Sequence, residues 1–227
     1  MIHLVARDQL AKMIDHSILN PSVTDADIEK GCREATQYGF AAVVVNPSHV
    51  PIVARKLKGS TVKVCSVIAF PFGLSATVAK RLEARTAVED GAEEIDMVMN
   101  FSAFKSGRSE FVSDDIKGVV QEARGAYGKV IVKVILENCY LTQDEKRLAC
   151  QLVVSAGADY VKTSTGFGKG GATVEDVRLM RQIVGPKFGV KAAGGIRNLE
   201  QALTMIEAGA NRIGASASVS IIESLKA

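Results

Sequence analysis

Short runs of β-branched residues alternate with amphipathic stretches along all 227 residues, and this alternation most limits what the chain can fold into. The apolar runs start about 28 residues apart on average, which is the length of one βα unit of a parallel sheet. Eight such units account for the whole chain. We predict strands at 14–19, 41–45, 61–68, 93–97, 130–136, 159–163, 189–192 and 212–214.

Capping residues and glycines mark the boundaries of the intervening helices. A threonine followed three residues later by a carboxylate favours a helix start, because each side chain can satisfy a free backbone amide of the other residue. Such pairs are Thr24 with Asp27, Thr142 with Glu145, and Thr173 with Asp176. Glycine tolerates the left-handed conformation that ends many helices. The candidate terminal glycines are Gly39, Gly91, Gly128, Gly157, Gly189 and Gly209.

Eight consecutive βα units favour a (β/α)8 TIM barrel, an α/β fold that typically needs roughly 250 residues. We therefore predict a compact barrel with few insertions, forming a single domain over residues 1–227. A doubly wound open sheet also alternates strands and helices, but it usually has fewer strands. It also gives no reason for the repeat to continue to the C-terminus.

The charge distribution argues against nucleic-acid and membrane partners. The chain has 28 lysines and arginines against 25 aspartates and glutamates, a formal net charge of +3, and no extended basic run. A nucleic-acid or anionic lipid surface would require clustered basic residues. The longest stretch without a charged side chain, 64–79, is interrupted by Pro71 and Gly73 and is too short to span a bilayer. No export signal is visible, so we expect a cytoplasmic protein.

The cysteines and histidines indicate no metal site. The four cysteines form no Cys-x-x-Cys pair, and the three histidines do not have the spacing of metal ligands. We expect free thiols in a reducing compartment.

Four predicted strands carry a charged residue inside an otherwise apolar run. Strands that are buried on both faces should be continuously apolar, and an unpaired buried charge is costly. The four residues are Asp96, Lys133, Lys162 and Lys191. They lie on consecutive strands, so side chains that point inward would meet near the carboxyl-terminal mouth of a barrel, where barrel enzymes place their chemistry.

Two of these lysines suggest a nucleophilic amine. For a single strand lysine, a side chain that reaches solvent at the strand end is the simpler interpretation, and we assign it to Lys63. For Lys162 and Lys191 the pairing changes the interpretation, because a neighbouring cation lowers the pKa of an amine and leaves it neutral enough to attack a carbonyl.

Glycine- and hydroxyl-rich segments follow three late strands, at 162–166, 193–196 and 214–218. Their backbone amides and hydroxyls would suit a phosphate, which barrels often bind at the loops after strands seven and eight. An amine, a carboxylate and a phosphate site together indicate Schiff-base chemistry on a small phosphorylated carbonyl compound. Several aldol and isomerase reactions remain open at this point.

Motifs along nearly the whole chain resemble the deoxyribose-phosphate aldolase family, which are class I aldolases. The most specific are Val-Lys-Thr-Ser-Thr-Gly-Phe at 161–167 and Val-Lys-Ala-Ala-Gly-Gly-Ile-Arg at 190–197. The others lie at 15–21, 45–47, 64–73, 94–100 and 133–137.

The resemblance implies reversible cleavage of 2-deoxy-D-ribose 5-phosphate to D-glyceraldehyde 3-phosphate and acetaldehyde, in deoxyribose catabolism, without a metal or organic cofactor. By position Lys162 resembles the Schiff-base lysine, Lys191 the lysine that lowers its pKa, and Asp96 the proton-shuttling carboxylate. Asp15 resembles a carboxylate that orients Lys191, and Lys133 a recurrent lysine that acts through electrostatics.

The resemblance also implies phosphate binding at four positions and a possible homodimer. The phosphate positions are Gly166, Gly194, Gly195 and Ser216. Several positions depart from the family pattern: among them, Val44 replaces a frequent cysteine, Asn138 and Cys139 follow Glu137 where a Glu-Thr pair is more usual, and Ala217 replaces a frequent second phosphate-binding serine. The alternatives are a Schiff-base aldolase or transaldolase for another sugar phosphate, and a catalytically silent barrel that senses sugar phosphates.

Overall fold

Eight parallel strands close into a barrel in the computed structural model of the chain, which describes residues 5–225. Each strand pairs with its neighbours in chain order, and the eighth pairs with the first. The strands are β1 (Ile14–Ile18), β2 (Ala42–Val45), β3 (Lys63–Ile68), β4 (Glu94–Val98), β5 (Ile131–Ile135), β6 (Tyr160–Lys162), β7 (Gly189–Ala193) and β8 (Arg212–Ala215). The predicted compact TIM barrel is confirmed. The predicted domain limits, 1 and 227, lie outside the described residues.

Helices cover the outside of the barrel. They are α1 (Arg7–Ala11), α2 (Asp25–Tyr38), α3 (Val50–Lys56), α4 (Thr77–Glu89), α5 (Phe101–Lys105), α6 (Ser109–Tyr127), α7 (Gln143–Ser155), α8 (Val174–Val184), α9 (Leu199–Glu207) and α10 (Ser218–Glu223). Among the described residues, no helix has both the length and the apolar character needed to cross a membrane.

The predicted helix starts are observed, with one difference in detail. Thr24 and Thr142 form complete capping boxes at α2 and α7. At α8 the hydroxyl of Thr173 accepts from the amide of Asp176 at 3.1 Å, but the Asp176 carboxylate accepts from Lys146 Nζ at 2.6 Å instead of closing the box. A tertiary ion pair has thus replaced a local capping bond.

One predicted helix-terminal glycine is wrong. Helix α8 ends at Val184 and is capped by Gly185, whose φ is +77°, and Gly189 is the first residue of β7. A Cβ at Gly189 would lie 2.2 Å from the ring of Tyr160 on the adjacent strand, so close packing requires glycine there. The prediction confused a packing glycine with a helix-terminal one.

The hydrophobic core has two unequal parts. The larger part lies between the strands and the helices, where alternate strand residues such as Val43, Ile95 and Val134 pack against the helices. The smaller part consists of the side chains of β2 and β3 inside the barrel: Ala42, Val44, Cys65 and Val67. Val44 therefore belongs to the apolar part of the barrel interior. The buried charged side chains of the strands lie on β1 and on β4 to β8.

Candidate active site

The four charged residues predicted in apolar strands lie on consecutive strands and are all buried. Asp96 of β4 is in register with Lys133 of β5, and Lys162 of β6 is in register with Lys191 of β7. Lys162 is also in register with Ile135, two residues beyond Lys133. Lys162 therefore lies nearer the carboxyl ends of the strands than Lys133 does.

Asp96 contacts the other three charged residues. Its Oδ2 accepts from Lys162 Nζ at 2.7 Å and from Lys191 Nζ at 2.6 Å. Its Oδ1 accepts from Lys133 Nζ at 2.8 Å and from the thiol of Cys65 at 3.3 Å. Both oxygens are thus engaged, and one carboxylate holds three amines within hydrogen-bond distance.

Asp15, on β1, lies beside Lys191. Lys191 Nζ donates to Asp15 Oδ2, and Arg212 Nε donates to Asp15 Oδ1 at 2.6 Å. Arg212 Nη2 also donates to both carboxylate oxygens of Glu94, at 2.7 and 2.8 Å. Glu94 Oε2 in turn lies 2.5 Å from Lys133 Nζ. The site therefore extends from Lys191 to Lys133 by a second route that does not pass through Asp96.

Sequence reasoning missed Glu94 and Arg212. Each is the first residue of its strand, where a charged side chain usually reaches solvent. Lys63, the first residue of β3, follows that expectation and is exposed in an ion pair with Glu93. Strand periodicity could have identified Glu94, because it lies two residues before Asp96 and so faces the same side of the sheet.

The pKa of Lys162 is lowered, and burial is the largest cause. The positive charge of Lys191 lowers it further, while Asp96 acts in the opposite direction. The side chain is only 3% exposed, so desolvation strongly disfavours its charged form. The predicted effect of the second lysine is thus present but is secondary to burial.

The neighbouring lysines shift in the other direction. Burial would lower the pKa of Lys191, but Asp15 and Asp96 outweigh it and the pKa is raised. Burial likewise opposes the charged form of Lys133, but Asp96 and Glu94 help to raise its pKa well above the usual value. Both side chains are therefore cations at neutral pH.

The carboxylates are ionised. Burial raises the pKa of Asp15, but neighbouring cations, led by Lys191, lower it to about 2. The pKa of Asp96 lies well below its usual range, because Lys133, Lys162 and Lys191 together outweigh burial. Asp96 at rest is thus a proton acceptor rather than a proton donor.

A cavity of about 500 Å³ opens beside Lys162, among the loops that follow β1, β6, β7 and β8. Its size suits a small substrate. All four predicted phosphate positions line it: Gly166, Gly194, Gly195 and Ser216. Sequence reasoning assigned no role to three other lining residues, Asn20, Thr165 and Arg197.

Gly194 has a steric reason to be glycine. Its φ is +89°, which side chains disfavour, and a Cβ would lie 3.1 Å from the Cα of Gly171 and 3.3 Å from the Cβ of Ser164. The loop after β7 can therefore pass close to the loop after β6, and both border the cavity.

The loop after β8 presents one serine to the cavity. Ser216 lines it, whereas the buried Ser218 donates its hydroxyl to the carbonyl oxygen of Ala215 at 2.8 Å. Ser218 therefore does not replace the hydroxyl that Ala217 lacks.

Glu137 is a further residue to which sequence reasoning assigned no role. It follows β5, is buried, and has a φ of +55°. Its carboxylate accepts from both the hydroxyl and the backbone amide of Thr165, the latter at 3.2 Å, and the Thr165 hydroxyl accepts from the amide of Phe167 at 3.0 Å. Glu137 thus anchors the loop that follows Lys162. The sequence signal that could have identified Glu137 is a carboxylate just after a buried strand.

Within residues 5–225, no group of three or more His, Cys, Asp or Glu side chains has a geometry that could hold a metal ion. The cysteines in that range are free.

Comparisons with known proteins find aldolases that match nearly the whole chain. The sequence model of the "DeoC/LacD family aldolase" matches residues 9–221. The deoxyribose-phosphate aldolase of Carboxydothermus hydrogenoformans is 56% identical over 222 residues, which cover 98% of this chain and 97% of that protein. The deoxyribose-phosphate aldolase of Thermococcus gammatolerans is 59% identical over 216 residues, covering 94% and 95% of the two chains.

A solved structure has the same fold. The deoxyribose phosphate aldolase of Aeropyrum pernix, described as a unique tetrameric structure, superposes with a TM-score of 0.91 at 37% identity and covers 98% of this chain and 93% of its own.

Proposed function

The chain belongs to the DeoC/LacD family of aldolases, and from this premise we propose that it cleaves 2-deoxy-D-ribose 5-phosphate reversibly to D-glyceraldehyde 3-phosphate and acetaldehyde through a Schiff base on Lys162. The observation that carries the proposal is a buried amine with a lowered pKa, beside a second lysine and a carboxylate, at the wall of a substrate-sized cavity.

Lys162 is the nucleophile. Its neutral amine adds to the C1 aldehyde of the open-chain sugar, and the nitrogen proton passes to Asp96, which is ionised and 2.7 Å away. Return of that proton to the C1 oxygen gives the carbinolamine, and a second proton, delivered from solvent by way of Asp96, lets the C1 hydroxyl leave as water and yields a protonated imine on Lys162. Asp96 stabilises the new positive charge because it already lies against the nitrogen.

Cleavage breaks the C2–C3 bond, because a two-carbon and a three-carbon product must separate. The C3 hydroxyl loses its proton and becomes the aldehyde of D-glyceraldehyde 3-phosphate, while the bonding electrons move into the protonated imine to give an enamine. Protonation of the enamine at C2 and hydrolysis of the resulting imine release acetaldehyde and regenerate the amine. All steps use protons, water and side chains of the protein, so the proposal requires no metal or organic cofactor.

We place the phosphate group of the sugar among the loops that line the cavity beside Lys162. Backbone amides of the loops at Gly166, Gly194 and Gly195 and the hydroxyl of Ser216 are the proposed donors, since all four line the same cavity. Anchoring of one end of the substrate in this way would place C1 at the amine.

Trapping with borohydride tests the nucleophile. Acetaldehyde followed by borohydride should fix an ethyl group on Lys162, identified by mass spectrometry of the tryptic peptides. The Lys162→Met variant should not be labelled, and Lys146→Met, which removes a lysine from a remote ion pair, should be labelled as the wild type is. An adduct at Lys191, or no adduct, would show that the nucleophile is wrongly assigned.

Substrate comparison tests the reaction. The enzyme should cleave deoxyribose 5-phosphate much faster than keto-sugar phosphates. The reverse preference would favour a different Schiff-base aldolase, and trapping without turnover of any sugar phosphate would favour a silent binding protein.

We further propose that the protein acts in the cytoplasm in the catabolism of deoxyribose phosphates. A homodimer is one assembly open to the chain. The Aeropyrum pernix relative is described as tetrameric, and light scattering would distinguish a dimer from a tetramer.

A further inference from the structure

Six charged side chains inside the barrel form a closed ring of alternating sign. Successive contacts join Asp96 to Lys191, Lys191 to Asp15, Asp15 to Arg212, Arg212 to Glu94, Glu94 to Lys133, and Lys133 back to Asp96. We call these six residues the charge ring. Every member is buried, and the five links other than Lys191 to Asp15 are between 2.5 and 2.8 Å long.

The charge ring is electrically balanced, and Lys162 lies outside it. Three carboxylates alternate with three cations, while Lys162 contacts the ring at Asp96. A protonated Lys162 would add an unmatched positive charge to a buried cluster, which low polarity makes costly. A neutral Lys162 leaves the cluster balanced.

We propose that Arg212 and Glu94 are positioning residues for the amine chemistry: by closing the charge ring they hold Lys191 and Lys133 as fixed cations, so that Lys162 is the amine left neutral to react. The inference rests on the proposed function of Lys162 as a nucleophile, and it concerns two residues that do not line the cavity.

The ring geometry supports a role for both residues beyond holding strands together. Arg212 binds Asp15 through Nε and Glu94 through Nη2, which orients the Asp15 oxygen that receives Lys191. Glu94 in turn lies against Lys133, the amine on the other oxygen of Asp96. Each residue thus acts on a different neighbour of Asp96, the carboxylate that contacts Lys162.

The proposal predicts effects of opposite sign. Loss of the Arg212 charge leaves the interior one unit more negative, so Lys162 should become easier to protonate. Loss of the Glu94 charge leaves it one unit more positive, so Lys162 should become harder to protonate. The groups that face Lys162 directly are Asp96, Lys191 and the thiol of Cys65, whose pKa is raised by burial so that it stays neutral.

The experiment measures the titration of Lys162 in Arg212→Met, Glu94→Gln, the double variant and Arg212→Lys. Competitive acetylation with acetic anhydride over a range of pH, followed by peptide mass spectrometry, reports the midpoint for Lys162 without any sugar substrate. A single interior charge roughly 10 Å away shifts a midpoint by about one pH unit. We expect a rise of about that size in Arg212→Met, a fall in Glu94→Gln, and near wild-type values in the double variant and in Arg212→Lys.

Lys146→Met is the matched control. Lys146 and Arg212 are both 9% exposed, and Lys146 also loses a buried carboxylate partner, Asp176, when it is replaced. The control should lower the melting temperature without moving the midpoint of Lys162. Shifts of the same sign in the two single variants, or no shift in folded protein, would overturn the proposal.

The outcome does not depend on the folding of one variant. If circular dichroism shows that Arg212→Met is unfolded, Glu94→Gln must still lower the midpoint and Arg212→Lys must keep it, or the inference is wrong. A low midpoint in the wild type without sugar cleavage would refute the proposed reaction alone. Normal cleavage with unmoved midpoints in the variants would refute the inference alone.

Discussion

Replacement of Lys191 by methionine should raise the pKa of Lys162 by about two units. The two nitrogens share Asp96 Oδ2 at 2.7 and 2.6 Å, so adding those distances bounds their separation at about 5.3 Å. At an effective dielectric constant of about 20, two unit charges at that separation repel by about 3 kcal/mol, or roughly two pKa units. Methionine has nearly the volume of lysine, so the change removes charge with little loss of packing.

The sign follows from the reacting form of the amine. Lys162 must be neutral to attack, and loss of the neighbouring cation favours its protonated form. The acid limb of the pH profile of kcat/KM should therefore move to higher pH. Below the wild-type pKa the neutral fraction, and with it kcat/KM, should be about 100-fold lower than in the wild type, and the loss should shrink as the pH is raised towards the shifted pKa and beyond it.

The assay is kcat/KM for deoxyribose 5-phosphate cleavage as a function of pH. The matched control is Lys80→Met, because Lys80 is also a fully buried lysine, paired with Asp115 at 2.6 Å between α4 and α6. It should destabilise the protein and leave the acid limb in place. A folded Lys191→Met enzyme whose acid limb does not move would refute the argument that Lys191 lowers the pKa of Lys162.

Three further predictions concern phosphate binding in the cavity, the anchoring of the loop after Lys162 by Glu137, and the stability of the protein in acid. Ser216→Ala should raise KM for deoxyribose 5-phosphate about tenfold and leave the rate on unphosphorylated deoxyribose unchanged, because a hydrogen bond to a charged group contributes about 1.5 kcal/mol; equal effects on both sugars would contradict a phosphate contact. Glu137→Gln should weaken the anchor at Thr165 and raise KM for both sugars, measured by steady-state kinetics with thermal melting; an unchanged KM would mean that the loop is held by other contacts. The carboxyl of Asp15 has a pKa of about 2 against an ordinary 3.8, so its ionisation contributes about 2 kcal/mol of stability above pH 4 that is lost as the pH falls towards 2. In urea titrations Asp15→Asn should therefore lose less free energy of unfolding across that window than the wild type, and an equally steep loss would contradict this.

The repeating pattern predicted the architecture well because it is local. The signals depend on residues that are near one another in the chain, as in the eight apolar runs and in the threonine caps at Thr24 and Thr142. Parallel strands joined by helices can then close into a barrel in chain order. The error at Gly189 has the opposite origin. What requires glycine there is the ring of Tyr160, on a neighbouring strand.

The sequence by itself determined the barrel and the four strand charges, because strand period and burial make an interior charge visible without coordinates. Only the tertiary structure decided which charges meet. Arg212 is 197 residues from Asp15 and 118 from Glu94, and closure of β8 onto β1 together with the strand register brings the three together. The balance of charge around Lys162 is a property of those contacts, so it could not be predicted from the order of residues along the chain.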